Sequence, residues 1–112
     1  MVVAGKWTLH FDWNCDGSYS QVDMTFNANG TFSLSPYTGK WVEVEGMILW
    51  QFDNSKTTYG GNVAGSAMTG LMSTFGGLKG CWYAIKAGAT TMLVAERMPA
   101  LDVLGNKAKY PK

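Results

Sequence analysis

Apolar and polar side chains alternate along the first part of the chain. From Lys6 to Trp13, every second residue is large and apolar, and the residues between them are polar or short. A period of two places the two sets on opposite faces of a β-strand. The pattern therefore predicts a half-buried strand. Its buried face carries Trp7, Leu9, Phe11 and Trp13.

Similar segments continue along the chain, and Gly, Asn, Asp or Pro residues separate them. The predicted strands are Lys6 to Trp13, Ser20 to Phe26, Thr31 to Ser35, Lys40 to Glu45, Met47 to Phe52, Thr57 to Val63, Ala67 to Thr74, Cys81 to Lys86 and Thr90 to Arg97. About nine strands at roughly ten-residue spacing are typical of an antiparallel all-β fold. We expect an up-and-down meander that closes into a small barrel of about eight or nine strands. A sandwich of two sheets has the same periodicity and stays open as an alternative.

The end of the chain has a different pattern. Pro99 and Gly105 stand where a short helix would begin and end, so the segment between them predicts one helix. Residues 98–112 are expected to form this helix or an extended tail. No linker separates two units, and residues 1–112 are interpreted as a single β-barrel domain.

Composition narrows the class of protein. The chain has 112 residues, of which 46% are hydrophobic and 15% charged, and its formal net charge is +1. So little charge argues against a disordered chain or a coiled coil. No positive field is available to neutralise phosphates, so nucleic acid is not an expected partner. The longest apolar run, Met47 to Trp50, is too short to span a membrane.

A Gly-x-Trp triplet occurs three times, as Gly5-Lys6-Trp7, Gly39-Lys40-Trp41 and Gly80-Cys81-Trp82. The first triplet opens the first predicted strand, and there it resembles the signature of the calycin barrels: lipocalins, fatty-acid-binding proteins and avidin-like proteins. At this length the resemblance is closer to avidin-like barrels, or to small bacterial β-barrel proteinase inhibitors with one disulfide. The resemblance implies a barrel fold, with Trp7 as a plug at one end.

Side chains that could support catalysis are few. The single histidine, His10, lies on the polar face of the first strand and is expected at the surface. No nucleophile can be paired with a base by spacing, and no cofactor fingerprint is present. We therefore expect a protein that is not an enzyme.

One segment resembles the opening of a calcium-binding loop. Asp12, Asn14 and Asp16 alternate before Gly17, and Asp23 stands at the twelfth position. Alternate oxygen ligands before a glycine turn can surround a hard cation. Both flanks alternate as strands do, however, and the same residues suit a polar hairpin turn. Calcium is the one cofactor that the sequence suggests, with Asp12, Asn14, Asp16 and Asp23 as ligands.

The two cysteines, Cys15 and Cys81, are too few for a zinc site. They could pair in a disulfide, but the sequence leaves this open because disulfide geometry cannot be deduced from spacing. A composition rich in Gly, Thr and Asn suits a secreted or periplasmic protein, and this is the compartment we expect.

The main functional question is whether the aromatic residues fill the barrel or line a ligand-binding cavity. A barrel of about eight strands either fills with side chains or holds one small ligand. Gly60, Gly61, Gly65 and Gly70 could leave space beside the rings. The first hypothesis is a non-catalytic protein that binds a small apolar or aromatic ligand inside the barrel. The residues expected to contact that ligand are Trp7, Phe11, Trp13, Trp50, Tyr59 and Trp82.

Two segments predict apolar surface outside the barrel. Burying a carboxylate is costly, so Val42 and Val44 are expected to face inward and Trp41 outward. Met47 to Phe52 and Met92 to Ala95 are apolar on both faces, which predicts a homo-oligomer formed through their outer faces. The alternative functions are a secreted protein-binding module, such as a proteinase inhibitor, and a structural oligomer with a filled barrel.

Overall fold

The chain forms eight β-strands within residues 3–87 and 102–106, which are the residues that the computed structural model describes. Turns of a few residues join successive strands, as expected from the Gly, Asn and Asp residues between them. The strands are β1 Gly5–Trp13, β2 Ser20–Phe26, β3 Thr31–Leu34, β4 Tyr37–Val44, β5 Met47–Phe52, β6 Thr58–Ala64, β7 Ala67–Ser73 and β8 Lys79–Lys86.

Each strand pairs antiparallel with the next, and β8 pairs with β1 to close a barrel. The closing ladder runs from the pair of Trp7 with Lys86 to the pair of Trp13 with Gly80. The prediction of an all-β antiparallel meander that closes into a barrel is confirmed, and the sandwich alternative is wrong. The predicted strand from Thr90 to Arg97 lies outside the described residues.

Two glycines face each other where β6 and β7 come closest. Gly61 stands opposite Gly70 in the ladder. A Cβ atom on Gly61 would overlap the carbonyl of Thr69, and one on Gly70 would overlap the carbonyl of Gly60. Only glycine fits such a close approach of two backbones. The space that Gly61 and Gly70 were expected to leave beside the rings is therefore taken by the neighbouring strand.

The prediction for β4 was wrong in its orientation. Trp41 is 9% exposed and faces inward, whereas Val42 and Val44 are 59% and 61% exposed. The Trp41 indole N–H donates to the carbonyls of Asn27 and Thr31, at 3.0 and 2.9 Å. Glu43, which shares the inward side of β4 with Trp41, is only half-buried, and its carboxylate accepts a hydrogen bond of 2.7 Å from the N–H of Gly46.

Short segments cover both ends of the barrel. At one end the Trp7 indole N–H donates to the carbonyl of Val3 at 2.7 Å, and Val3 is fully buried. At the other end residues 102–106 form a turn. Among the described residues, no helix is long and apolar enough to cross a membrane.

The helix predicted between Pro99 and Gly105 is wrong for the part that the structure describes. The Asp102 carboxylate accepts hydrogen bonds from the N–H groups of Leu104 and Asn106, both at 2.9 Å. A side chain that satisfies these N–H groups competes with helix formation. Gly105, with φ of 87°, then reverses the chain. Residues 99–101 and 107–112 lie outside the described part of the chain.

Candidate functional site

The centre of the barrel is a cluster of aromatic rings around Trp50. Trp50 stacks on Tyr59, with 3.9 Å between ring centroids, and meets Trp82 edge to face at 5.5 Å. Phe32 and Phe26 approach the same indole at 5.3 and 6.0 Å. Rings at these distances are in direct contact. The structure thus brings together Trp50, Tyr59 and Trp82, but they pack against one another.

The other three predicted ligand contacts lie along the inward face of β1. Trp7 is at the end of the barrel that Val3 covers, and Trp13 is at the opposite end. Phe11 lies between them, opposite Trp82 in the ladder with β8. The six predicted residues all face inward, but they extend over the whole length of the barrel. They do not surround one common space.

Two polar atoms within the ring cluster differ in their hydrogen bonding. The Trp50 indole nitrogen is buried and has no partner among the described residues. The Tyr59 hydroxyl donates to the carbonyl of Val103 at 2.8 Å. Complete burial, with the charge of Asp102 adding to it, raises the pKa of Tyr59 well above its usual value of 10.0. Tyr59 is therefore a neutral hydrogen-bond donor at any physiological pH.

Four side chains hold residues 102–104 against one end of the barrel. The Trp13 indole N–H donates to the carbonyl of Asp102 at 2.8 Å, and the Thr57 hydroxyl donates to the carbonyl of Leu104 at 2.6 Å. The Tyr59 hydroxyl donates to the carbonyl of Val103, which lies between these two residues. The Tyr37 hydroxyl donates to the Asp102 carboxylate at 3.1 Å. We call Trp13, Tyr37, Thr57 and Tyr59 the barrel mouth.

The segment that fills the barrel mouth is packed as well as hydrogen-bonded. Val103 is 3% exposed and belongs to the hydrophobic core.

Burial, and then the neighbouring Asp102 carboxylate, raise the pKa of Tyr37. Sequence reasoning missed the contact of Tyr37 with Asp102, because these residues are 65 positions apart and no local pattern connects them.

The predicted calcium ligands are not all brought together. The Asp12 carboxylate accepts a hydrogen bond of 2.7 Å from the N–H of Gly17, and Asp16 lies in the same loop. Asn14 is exposed there. Asp23 stands instead in the middle of β2, opposite Thr8, whose hydroxyl donates to it at 3.3 Å. Across residues 3–87 and 102–106, no group of three or more His, Cys, Asp or Glu side chains could hold a metal ion.

Asp12 is nevertheless unusual for a carboxyl group. It is 2% exposed, and its Oδ1 atom has no hydrogen-bond partner within the described residues. Burial is the main cause that raises the pKa of Asp12 above its ordinary value of 3.8. The neighbouring Asp16 also raises this pKa, while the N–H of Gly17 opposes the shift.

A disulfide and a small aromatic cluster cover the outer face of β1. Cys15 and Cys81 are joined in a disulfide, with 5.2 Å between their Cα atoms, which ties the loop after β1 to β8. His10 was predicted at the surface, but it is only 7% exposed. Its ring stacks on Tyr83 at 4.4 Å, and Tyr19 packs against Tyr83 in turn. The polar face of β1 is therefore partly a second, outer core.

The outer surface of β4 to β7 carries large apolar side chains. Leu49 stands opposite Val42 on one side and Gly60 on the other, and Gly60 stands opposite Leu71. Met92 to Ala95, also predicted to be apolar on the outside, lie outside the described residues. We call the following exposed side chains the outer apolar face: Val42, Val44, Met47, Leu49, Leu71 and Phe75.

A shallow groove of about 460 Å³ crosses part of this face. Leu49, Leu71 and Phe75 are its large apolar lining residues, and Gly60 lies between Leu49 and Leu71. Asn14, Thr58 and Lys79 are among the polar residues around it. The groove is open to solvent, so a small molecule in it would be covered on one side only.

Comparison with known proteins does not assign the chain to a family. Neither a scan against protein-family models nor a search of curated proteins finds a match.

Proposed function

We propose that this protein is a non-catalytic β-barrel that works as an oligomer, in which a second copy packs against the outer apolar face. One observation carries the proposal. Six large apolar side chains on β4, β5, β7 and the turn after β7 are between 55% and 78% exposed. An apolar face of this size is as large as the largest patch of a typical monomer, and such patches are often functional sites of association. The contacting rings of the interior make the barrel a rigid support for this surface.

Charge favours a second copy as the occupant. On β4, Lys40 is paired with Asp53 at 3.1 Å, at the edge of the surface. Apart from Lys79 beside the groove, this surface offers little unpaired charge by which a foreign partner could be selected through charge complementarity. In a two-fold dimer, by contrast, the same patch meets itself. The outward positions of β5 to β7 are all uncharged: Met47, Leu49, Gln51, Thr58, Gly60, Asn62, Ala64, Ala67, Thr69, Leu71 and Ser73.

The size of the outer apolar face is close to what a dimer needs. Apolar side chains of this kind offer on the order of 60 to 100 Å² each, so the six together offer on the order of 360 to 600 Å². Homodimer interfaces are about 65% apolar, which corresponds to roughly 550 to 900 Å² per copy. Specific interfaces of standard size bury about 800 Å² per partner.

The experiment places charge in the centre of this face. We expect the wild-type chain to sediment as a dimer at micromolar concentration, and the double variant Leu49→Lys/Leu71→Lys to sediment as a monomer. Like charges across an interface cost several kcal/mol, which corresponds to a loss of at least about 100-fold in affinity. Gln21→Lys, an exposed position on β2, is the matched control and should leave the dimer intact. A wild-type chain that stays monomeric up to about millimolar concentration contradicts the proposal.

Two further features bear on the compartment and the fold family of the proposed oligomer. The disulfide between Cys15 and Cys81 is of the kind that persists in oxidising compartments, which supports secretion or a periplasmic location. The closed meander of eight strands is compatible with the resemblance to calycin barrels. A secreted, self-associating barrel is consistent with both features.

A second candidate is the binding of a small apolar or aromatic ligand inside the barrel. The buried indole nitrogen of Trp50, which has no partner among residues 3–87 and 102–106, favours it. A ligand acceptor atom would satisfy this donor. Tryptophan fluorescence across a panel of apolar ligands tests this candidate, with Trp50→Phe as the control variant. An unchanged spectrum for every ligand argues against it.

A further inference from the structure

At the barrel mouth, three side chains donate hydrogen bonds to the main chain of one short segment. Three side chains from two parts of the sequence, Trp13 at the end of β1 and Thr57 and Tyr59 around the start of β6, donate to the carbonyls of three consecutive residues, 102, 103 and 104. All three hydrogen bonds come from side chains of the barrel and end on main-chain oxygens. Every peptide has such oxygens. The barrel mouth therefore recognises the backbone of a peptide segment.

Two side chains add selectivity to this recognition. Val103 is buried among core residues at the barrel mouth, so an apolar side chain is required at the second position. The Asp102 carboxylate accepts a hydrogen bond from the Tyr37 hydroxyl, so an acceptor is favoured at the first position. The pattern that fits is an acidic residue followed by an aliphatic residue.

The bound segment also holds its own shape. The Asp102 carboxylate accepts from the N–H groups of Leu104 and Asn106, and the N–H of Gly105 donates to the carbonyl of Asp102 at 3.0 Å. These bonds lie within residues 102–106 and do not involve the barrel. A turn of this kind could be presented equally well by another polypeptide.

We propose that the barrel mouth is a peptide-binding site that residues 102–106 occupy within the same chain. Its ligand class is a turn-forming peptide of a partner protein in which aspartate precedes an aliphatic residue. The chain's own segment competes with that peptide. A tethered competitor acts at an effective concentration of about millimolar, so the free site is reached only when the partner peptide displaces the turn. The barrel mouth and the outer apolar face share no residue, so this site and the proposed dimer can be tested separately.

The experiment loosens the turn in the full-length chain and adds it back as a peptide. Asp102→Ala removes the hydrogen bonds of the carboxylate and leaves every residue of the barrel mouth intact. The probe is the capped peptide Asp-Val-Leu-Gly-Asn, and the readout is the ¹H–¹⁵N cross-peak of the Trp13 indole N–H. We expect the peptide to return this cross-peak of the variant to its wild-type position. The wild-type chain should bind the peptide at least tenfold more weakly, because its own turn occupies the site.

Two controls separate recognition from non-specific binding. A peptide with aspartate at the second position should leave the cross-peak of Asp102→Ala unmoved. Adding Tyr59→Phe to the variant should weaken binding of the original peptide about fivefold, since one hydrogen bond is lost. If Asp102→Ala lacks a folded amide spectrum, Val103→Ala takes its place. A folded variant whose Trp13 cross-peak ignores the original peptide at several millimolar overturns the proposal, as does equal binding of both peptides.

Discussion

The indole ring of Trp50 lies nearly parallel to the phenol ring of Tyr59, with 3.9 Å between the ring centroids and 15° between the ring planes. The hydroxyl of Tyr59 reaches beyond this stack and donates to the carbonyl of Val103. Tyr59 therefore connects the central ring cluster with the turn that covers the barrel mouth. A substitution at Tyr59 should therefore affect both the ring cluster and the turn.

Tyr59→Phe keeps the ring stack and removes only the hydrogen bond. The carbonyl of Val103, at a buried residue, then loses its partner, so the free energy of unfolding should fall by about 1 to 2 kcal/mol. Urea unfolding followed by tryptophan fluorescence measures this change. Tyr19→Phe, at the outer face of the barrel, is the control. Equal stability of Tyr59→Phe and the wild type would show that the bond contributes nothing.

Loss of the disulfide should destabilise the chain considerably. Cys15 and Cys81 are 66 residues apart, and closing a loop of this length lowers the entropy of the unfolded chain. The expected loss for Cys15→Ala/Cys81→Ala is about 4 kcal/mol in the chain-entropy description. The measurement is the urea midpoint of the double variant, compared with that of the wild-type chain under oxidising and reducing conditions. A reductant should shift only the wild-type midpoint.

Gly70→Ala should be among the most destabilising small substitutions in the chain. The new Cβ atom would overlap the carbonyl of Gly60, so the backbones of β6 and β7 would have to separate. Overpacking of this kind costs about 3 kcal/mol or more. Gly76→Ala is the matched control, because the atom nearest to its new Cβ is the Thr74 hydroxyl oxygen at 3.8 Å. Similar melting temperatures for the two variants would contradict the close approach of β6 and β7.

Asp12 should make stability depend on pH. Burial and Asp16 raise its pKa above 3.8, so the native state holds this proton more tightly than the unfolded chain does. The resulting stabilisation is complete below pH 3.8 and is lost as the pH rises through the native pKa. Asn in its place does not titrate and can donate a hydrogen bond to Asp16. The stability of Asp12→Asn relative to the wild type should therefore increase between about pH 4 and pH 7.

Thermal unfolding at a series of pH values checks this prediction. Asp23→Asn is the control, because Asp23 is exposed on β2. If the stabilities of Asp12→Asn and the wild type run parallel across the whole range, the pKa of Asp12 is not raised in the native protein.

Alternation of side chains was enough to predict the strands, and the reason is clear for β1. Its inward residues are all large and apolar, so only one register buries them. β4 shows where this reasoning stops. Trp41 faces inward because its indole reaches the carbonyls of Asn27 and Thr31, which belong to another part of the chain. The cost of burying Glu43 was overestimated, since this side chain is near the end of its strand and bonds the following turn.

The candidate sites were harder to predict than the strands. The period of two places Trp7, Trp13 and Trp50 on the inward side, but it contains no information about their distances from one another. The same pattern gives no sign that Tyr83 lies over His10 on the outside. The barrel mouth depends on Tyr37 and Asp102, whose contact is set by the closed topology and not by any local motif.

The pairing of β1 with β8 bears on the order in which the barrel folds. Its ladder with β8 joins residues from the two ends of the closed sheet, and the same strand carries Trp7 and Trp13, which bond the segments at opposite ends. Contacts so distant in sequence form late, because closing the intervening loop is entropically costly. The step that completes the ring of strands therefore also brings the Trp13 indole to Asp102, 89 residues away, whereas the Trp7 indole bonds Val3 only four residues away. Because the closing ladder runs from Trp7 to Trp13, hydrogen exchange along its whole length should report a single cooperative opening.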